Sequence, residues 1–478
     1  MSERASIVRE TLLSQIESGL VKDSLVISPD SRHIAYVTIR NDDTFLIEDG
    51  IARGPYRRVS LPRFSPDSRR LAYSVLSGQW RVVVDGIIGN DSDMAADPVF
   101  SPDSRQVCYE AKRDDKWLLV TNHKAEAAHG APYGQGTFVS FGTAAMRSDF
   151  VKENDEREWQ GPIHFSPDST RLAYTTSIAN KSCVLVDGKK GKLYDGILAH
   201  SVRFSPDSKH IGYTVLDNNK IYAVVDGKDG KRYDSVSSWG PVFSPDSKHV
   251  AYLAFLRDKS FMVIDSHEEM PHDQAGSLKF SPDSKRVAYV VTDNRECFVV
   301  VDGMPGKHYN NVGGAGLTFS PSSARIAYQA ATSEKACIVL DEHEGDPYSE
   351  VFPPVFSPDG NMFAYSAKRG EQYLMVINGN ASDPYDWVGG PTFGPENSHP
   401  RRMSIGVDST GGLTVRSPAT CRLAYRAVSN NWWFVVVDGE KGPNYDWIPL
   451  SVDFDSNDSV HYLAQKGDKM YYVEETLQ

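Results

Sequence analysis

Phe204-Ser205-Pro206-Asp207-Ser208-Lys209-His210-Ile211-Gly212-Tyr213 decides the fold, because the chain repeats it. Ser-Pro-Asp-Ser begins at Ser28, Ser65, Ser101, Ser166, Ser205, Ser244 and Ser281. Weaker copies begin at Ser320, Ser357 and Gly394, and a last trace sits at Asp455. Self-similarity at a period of roughly 20–50 residues marks solenoids, propellers and arrays. The proline presets φ for a type I turn, and the Asp and Ser side chains can bond the turn backbone. In the first nine units a tyrosine stands eight residues after the motif's first residue, from Tyr36 and Tyr73 to Tyr328 and Tyr365. A tyrosine at a fixed strand position is expected to pack in the core.

Working outward, an apolar pair such as Val242-Phe243 precedes each motif, and a strand ending near Ala-Tyr follows it. A polar connection leads to a strongly β-forming run such as Ile221–Val225. That run closes on Asp-Gly or Asn-Gly at Asp49, Asp85, Asp187, Asp226, Asp302, Asn378 and Asp438. Such dipeptides suit a type I′ turn, where both central residues need positive φ. A fourth strand is expected around the Tyr-Asp pairs at Tyr194, Tyr233, Tyr385 and Tyr445. The units start 37, 36, 65, 39, 39, 37, 39, 37, 37 and 61 residues apart. Four antiparallel strands in about 40 residues make a β-propeller blade. One blade cannot bury both faces of its sheet, so blades must stack.

The Phe-Ser-Pro-Asp-Gly/Ser…Ala-Tyr unit resembles the TolB-like, WD-repeat-like β-propeller repeat family over about residues 20–478. The resemblance implies the fold and says little about activity. A departure from TolB itself is expected, since the sequence shows neither a secretory h-region nor the pattern of an N-terminal α/β domain. No room is left for the α/β-hydrolase domain that accompanies such propellers in serine peptidases. The expected fold is all-β, a propeller of about eleven four-stranded blades in a single large ring, the alternative being two packed propellers. Ile7, Leu12, Leu13 and Ile16 predict a helical segment over residues 1–18, with propeller repeats over 19–478. The last unit lacks a fourth strand, and residues near 19–23 are expected to supply it.

Alternation of hairpin ends puts the Ser-Pro-Asp-Ser and Asp-Gly turns at one monotonous end of the blades, and varied loops at the other. Binding usually lives on varied loops held by a rigid scaffold. Trp239, Trp387 and Trp447 fall at the varied end, as candidates for a small-ligand or glycan site. Trp432 and Trp433 begin a strand and are expected to pack between blades. Two insertions interrupt the repeat, at about 136–160 and about 397–419. Phe138, Phe141, Phe150 and Trp159 in the first, and Arg401 and Arg402 in the second, are candidates for binding a protein partner.

The charge, 51 basic against 63 acidic residues or −12, argues against a nucleic-acid partner. The five cysteines include no CxxC pair and read as small buried hydrophobes in a reducing compartment. With no secretory h-region and no run of 18 apolar residues, the expectation is a cytoplasmic protein with no membrane partner. His267-Glu268-Glu269-Met270-Pro271-His272 spaces its histidines wrongly for a zinc helix, and Pro271 breaks that helix. Neither Gly313-Gly314-Ala315-Gly316 nor Gly389-Gly390 precedes a helix that could hold phosphate. No nucleophile elbow or Walker motif is present, and a single Asp per turn is too few ligands for calcium. The sequence therefore predicts a protein–protein interaction scaffold that is not an enzyme, with no metal and no cofactor. The alternative is a propeller binding a small ligand or glycan in its channel or at an aromatic rim.

Overall fold

The computed structural model describes residues 6–21, 23–114, 116–129, 163–178, 181–395, 404–407, 413–416, 421–450 and 452–477. The chain is an all-β propeller protein of eleven blade sheets, as the repeat predicts. A further two-stranded hairpin, Ser404–Val407 with Leu413–Arg416, lies within the second insertion. The blades are numbered here by their second strands: Ile34–Arg40, Leu71–Ser77, Val107–Arg113, Leu172–Ile178, Ile211–Asp217, Val250–Leu256, Val287–Asp293, Ile326–Ala331, Phe363–Arg369, Leu423–Ser429 and Ser459–Lys466. They fall into two compact units. Gly19–Asp30 with Ala35–Glu269 holds blades 1 to 6, and Met1–Ser18, Ser31–Ile34 and Met270–Gln478 hold blades 7 to 11.

Blade 5 shows the pattern. Gly196–Ile197 and Arg203–Phe204 are two pieces of a first strand on Ile211–Asp217, followed by Lys220–Val225 and Lys228–Asp229. The fourth strand starts straight after Asp226-Gly227, whose φ values of 49° and 74° are those of the expected tight turn. It is therefore earlier than the Tyr-Asp pair, where the sequence placed it. Tyr194 instead bridges back to Ser182 of blade 4 and sets its ring edge-on to Tyr213 of blade 5 at 6.4 Å. Tyr233–Tyr252 and Tyr309–Tyr328 repeat this contact. The motif tyrosines are core residues, as expected, and the apolar faces of successive blades share clusters such as Ala173, Val184, Ile211 and Val215.

The Ser-Pro-Asp-Ser turn joins neighbouring blades as well as shaping its own. Ser205 Oγ donates to Asp207 Oδ1 at 2.6 Å and accepts the His210 amide at 3.0 Å. The Asp207 amide then donates to Ser247 Oγ of blade 6 at 2.9 Å. The same latch runs from Asp30 to Ser68, Asp67 to Ser104, Asp103 to Ser169 and Asp168 to Ser208, and in the other unit from Asp283 to Ser323. The accepting serine sits in the left-handed region, at φ 64° for Ser208. The Ser205 hydroxyl and the Lys209 amide hold the Asp207 carboxyl down at about 2.

A second tie lies beside the first. Arg171 Nε pairs with Asp187 at 3.0 Å, while its Nη1 donates to the Ser208 and Lys209 carbonyls of the next blade at 3.1 and 2.9 Å. Its guanidinium covers Phe204, and Arg70 and Arg286 do the same over Phe100 and Phe319.

The N-terminal segment corrects the sequence reading. Residues Ser6–Gln15 are a strand, not a helix, and pair antiparallel with Lys469–Leu477 as the fourth strand of blade 11. Glu10 accepts hydrogen bonds from Tyr445 at 2.9 Å and Lys466 at 2.6 Å. In this it matches Asp229 and Glu344, the fourth-strand acids that accept from Tyr194 and Tyr309. A short isolated helix is marginal in water, whereas an open sheet edge offers a full ladder of partners. Residues 19–21, expected in the last blade, belong to blade 1. Leu20 bridges Thr38, and a Cβ on Gly19 would lie 2.3 Å from the Ile39 carbonyl oxygen. The supply of the missing strand by the N-terminus is thus as expected, but from residues further upstream.

Two outcomes follow from these contacts. Ser208→Ala leaves the Asp168 amide without its acceptor and puts a Cβ at unchanged positive φ, so it should lower stability by about 1–3 kcal/mol in urea unfolding. Ser208→Gly should cost about 1 kcal/mol less, reversing the usual order, because glycine adopts that φ freely. Equal or greater stability of the alanine variant would show that the latch contributes nothing. Removing residues up to Gln15 should lower the thermal midpoint and produce aggregates on size exclusion, since the edge of Lys469–Leu477 loses its partner strand. An unchanged midpoint and a single sharp peak would make the strand dispensable.

Candidate functional site

The varied end of the blades is built on tight turns. In blade 5 the turn residues Asn218 and Asn219 have φ of 51° and 59°. The Asn218 amide donates to Asp195, the acid of the preceding Tyr-Asp pair, at 2.8 Å. Asp386 clamps Asn430 at 2.7 Å and Asp446 clamps Gly467 at 2.6 Å in the same way. The turns are therefore held alike, and what differs is the side chains between them.

The densest arrangement lies between blades 10 and 11. Trp387, Val428 and Trp433 are directly paired across three strands, so their side chains share one face. Arg426 lies two residues from Val428 on that face. Its guanidinium packs over both indoles, 5.4 Å from the Trp387 ring and 5.8 Å from the Trp433 ring. The indoles are 5.1 Å apart at 48°. Arg426 Nη1 donates to the Ile448 carbonyl of the neighbouring blade at 2.6 Å, and burial draws its pKa down. A Cβ on Gly389 would come within 3.1 Å of the Trp387 ring, so glycine there gives the indole room. The cluster is a rigid cation–aromatic bed at the seam of two blades; Trp433 packs between blades as expected, whereas Trp432, expected to do the same, is 47% exposed.

Arg426 follows the blade tyrosine Tyr425, and the same position carries polar residues elsewhere. Ser74 Oγ donates to the Ala96 carbonyl at 3.0 Å, and Gln329 Nε2 to the Val351 carbonyl at 2.6 Å, each reaching the next blade's first strand. In blade 3 the position holds Glu110, almost fully buried, and burial pushes its carboxyl up to about 8. Sequence reasoning missed this position. The signal was present, since aligning the units on their tyrosines gives a column in which Glu110, Gln329 and Arg426 stand out.

Of the three candidate tryptophans, Trp387 lies in the cluster. Trp447 occupies the equivalent place in blade 11, bridges Gln465 and is 38% exposed. Trp239 is 67% exposed in the six-blade unit, beside Arg203, whose Nε donates to its carbonyl at 3.1 Å. No ring contact among the described residues joins the three. Phe138, Phe141, Phe150, Trp159, Arg401 and Arg402 lie outside the described residues. His267-Glu268 forms the fourth strand of blade 6, and His272 pairs with Asp293 at 2.6 Å. Gly313 and Gly316, expected in a connection, are within the strand Asn311–Phe319. Cys108, Cys183 and Cys421 are buried thiols. No described helix is long and apolar enough to cross a membrane.

The fold and seam define a repeat-built β-propeller protein. No protein-family model matches the chain, and no curated protein matches it. Among solved structures it is similar to a eukaryotic initiation factor, with 12% identity, TM-score 0.38, and 76% of this chain and 96% of that one covered. The dihydro-heme d1 dehydrogenase NirN in complex with DHE matches with 12% identity, TM-score 0.30, and coverage of 79% and 80%. A structure assigned to TolB from Agrobacterium tumefaciens matches with 12% identity, TM-score 0.24, and coverage of 41% and 83%. Each is a likeness of fold and transfers no activity. The expectation that the chain is not an enzyme does not stand, because one of these propellers is a dehydrogenase. The lack of a catalytic motif in the sequence is no ground for excluding chemistry.

Glu110 gives a pH test of the seam position. Its folded pKa is raised from 4.5 to about 8, so the folded state binds a proton that the unfolded state releases. The resulting stability is fully present below the unfolded value and is lost as pH rises through the folded one. Stability of Glu110→Gln relative to the native chain, from urea unfolding at several pH values, should therefore improve steadily across that window. A difference independent of pH would mean that the buried carboxyl is ionised throughout.

Proposed function

We propose that the chain is a TolB-like, WD-repeat-like propeller that works by binding another protein in a reducing, cytoplasmic setting. The proposed recognition surface is the tryptophan-bearing end of blades 10 and 11. The observation that carries this reading is the solvent exposure of Trp432, at 47%, and Trp447, at 38%, with the exposed Leu450 nearby in sequence. Exposed indoles cost solvation without adding to a blade core, and tryptophan and arginine dominate the binding energy of protein interfaces. The neighbouring Trp387–Arg426–Trp433 cluster is packed before binding, which lowers the ordering cost of association at this end of the blades. The opposite end of the blades is occupied by the latches and arginine ties.

The test compares the intact chain with the double variant Trp432→Ala/Trp447→Ala as immobilised baits, after confirming equal thermal midpoints. Quantitative mass spectrometry of proteins captured from cell extract should find a partner that the variant retains at least about tenfold less well. Identical capture by the two baits would overturn the reading.

A further inference from the structure

The seam that is filled between blades 10 and 11 is open between blades 8 and 9. There a cavity of about 280 Å³ is lined by Asn311, Gln329, Ala331, Ala336, Glu350 and Val351, among others. Strand register makes the comparison residue by residue. Asn311 pairs Ala331, which pairs Ala336, just as Trp387 pairs Val428, which pairs Trp433. Gln329 follows Tyr328 as Arg426 follows Tyr425. The two indoles and the guanidinium of one seam are thus replaced by an amide, an alanine and a second amide in the other.

We propose that this cavity binds a single sugar ring or a polyol of that size. Its volume falls just below the roughly 300–1,000 Å³ of pockets for drug-sized ligands, which suits one ring and not a chain of them. Ala331, Ala336 and Val351 give the apolar lining that the C–H face of a pyranose needs. Asn311 and Gln329 give planar amides that donate to and accept from hydroxyls, and Glu350 gives a carboxylate that accepts from them.

Gln329 is held in place before any ligand arrives. Gln329 Nε2 is fixed on the Val351 carbonyl at 2.6 Å. Its Oε1 occupies space that a Cβ on Gly313 or on Gly316 would invade, at 2.5 Å in each case. The glycines that the sequence could not place are therefore what lets this amide fold into the seam. Glu350 is anchored only from a distance, 3.8 Å from Lys368, and its side chain is 57% exposed. That leaves the carboxylate available to a hydroxyl pair. This site lies apart from the tryptophan surface, and the inference does not depend on the protein-binding reading.

The experiment is saturation-transfer NMR on the full-length protein with the methyl glycosides of glucose, galactose, mannose and N-acetylglucosamine. At least one should show transfer and titrate with a dissociation constant of about 1 mM or tighter. Ala336→Trp, which installs the indole that blade 10 carries, should abolish the transfer. Glu350→Ala, at an exposed side chain, should weaken binding about tenfold with the thermal midpoint unchanged. Absence of transfer from all four glycosides would overturn the proposal. So would binding as tight as native in Glu350→Ala, or in an Ala336→Trp protein that keeps the native midpoint.

Discussion

The amide of the motif aspartate, donated to a serine hydroxyl one blade further along, is the contact on which the rest depends. The turn spends its Asp side chain inward, on the Ser205-type hydroxyl and the following amide, and its Asp backbone outward, on the neighbour. Each turn is thus shaped and latched by the same four residues. The latch also fixes the geometry of its acceptor, because the serine must hold positive φ to present Oγ. Gly360 stands at that position in blade 9, with φ 72°: the conformation survives where the hydroxyl is absent. Each bond is worth about 1 kcal/mol net, so cohesion comes from repetition and from the arginine ties beside it.

This explains why one end of the blades is monotonous. A residue that serves its own turn and the neighbouring blade is constrained twice. Arg171 is constrained further, pairing Asp187, capping two carbonyls and covering Phe204. Little freedom remains there for recognition. At the varied end the turn backbone is held by a single carboxylate, as Asp386 holds Asn430. Residues next to it can change type without disturbing the turn.

The blades were legible in the sequence because their signals are local. Pro206 and Asp207 shape the turn, Asp226-Gly227 sets the hairpin, and Tyr213 marks the core, all within about twenty residues. What was not legible depends on partners far along the chain. Ile7, Leu12 and Leu13 have helical spacing, and only the free edge of Lys469–Leu477 makes them a strand. The Tyr445–Glu10 bond spans 435 residues, and no window around Glu10 contains a hint of it. The candidate site was half legible. Trp387 drew notice as an aromatic at a varied position, while Arg426 drew none. Its meaning emerges only when it is compared with Gln329 and Ser74 at the same place in other blades.

That comparison also shows how a repeat protein can acquire distinct sites without altering its scaffold. The residue after each blade tyrosine faces the neighbouring blade and can reach its first strand, so its type sets the character of one seam. Ser74, Gln329 and Arg426 all satisfy a carbonyl of the next blade, so the scaffold's need is met by each. The difference lies in what accompanies them. Trp387 and Trp433 fill the seam around a cation, whereas Asn311 and Ala336 leave it open around an amide. The open seam between blades 8 and 9 does without the serine latch, since Gly360 has no hydroxyl, and keeps an arginine tie, Arg325 pairing Asp341 and covering Phe356 of the next blade. In the blades that carry it, the Ser-Pro-Asp-Ser turn ties one end to the neighbour and leaves the seam side chains at the other end to differ.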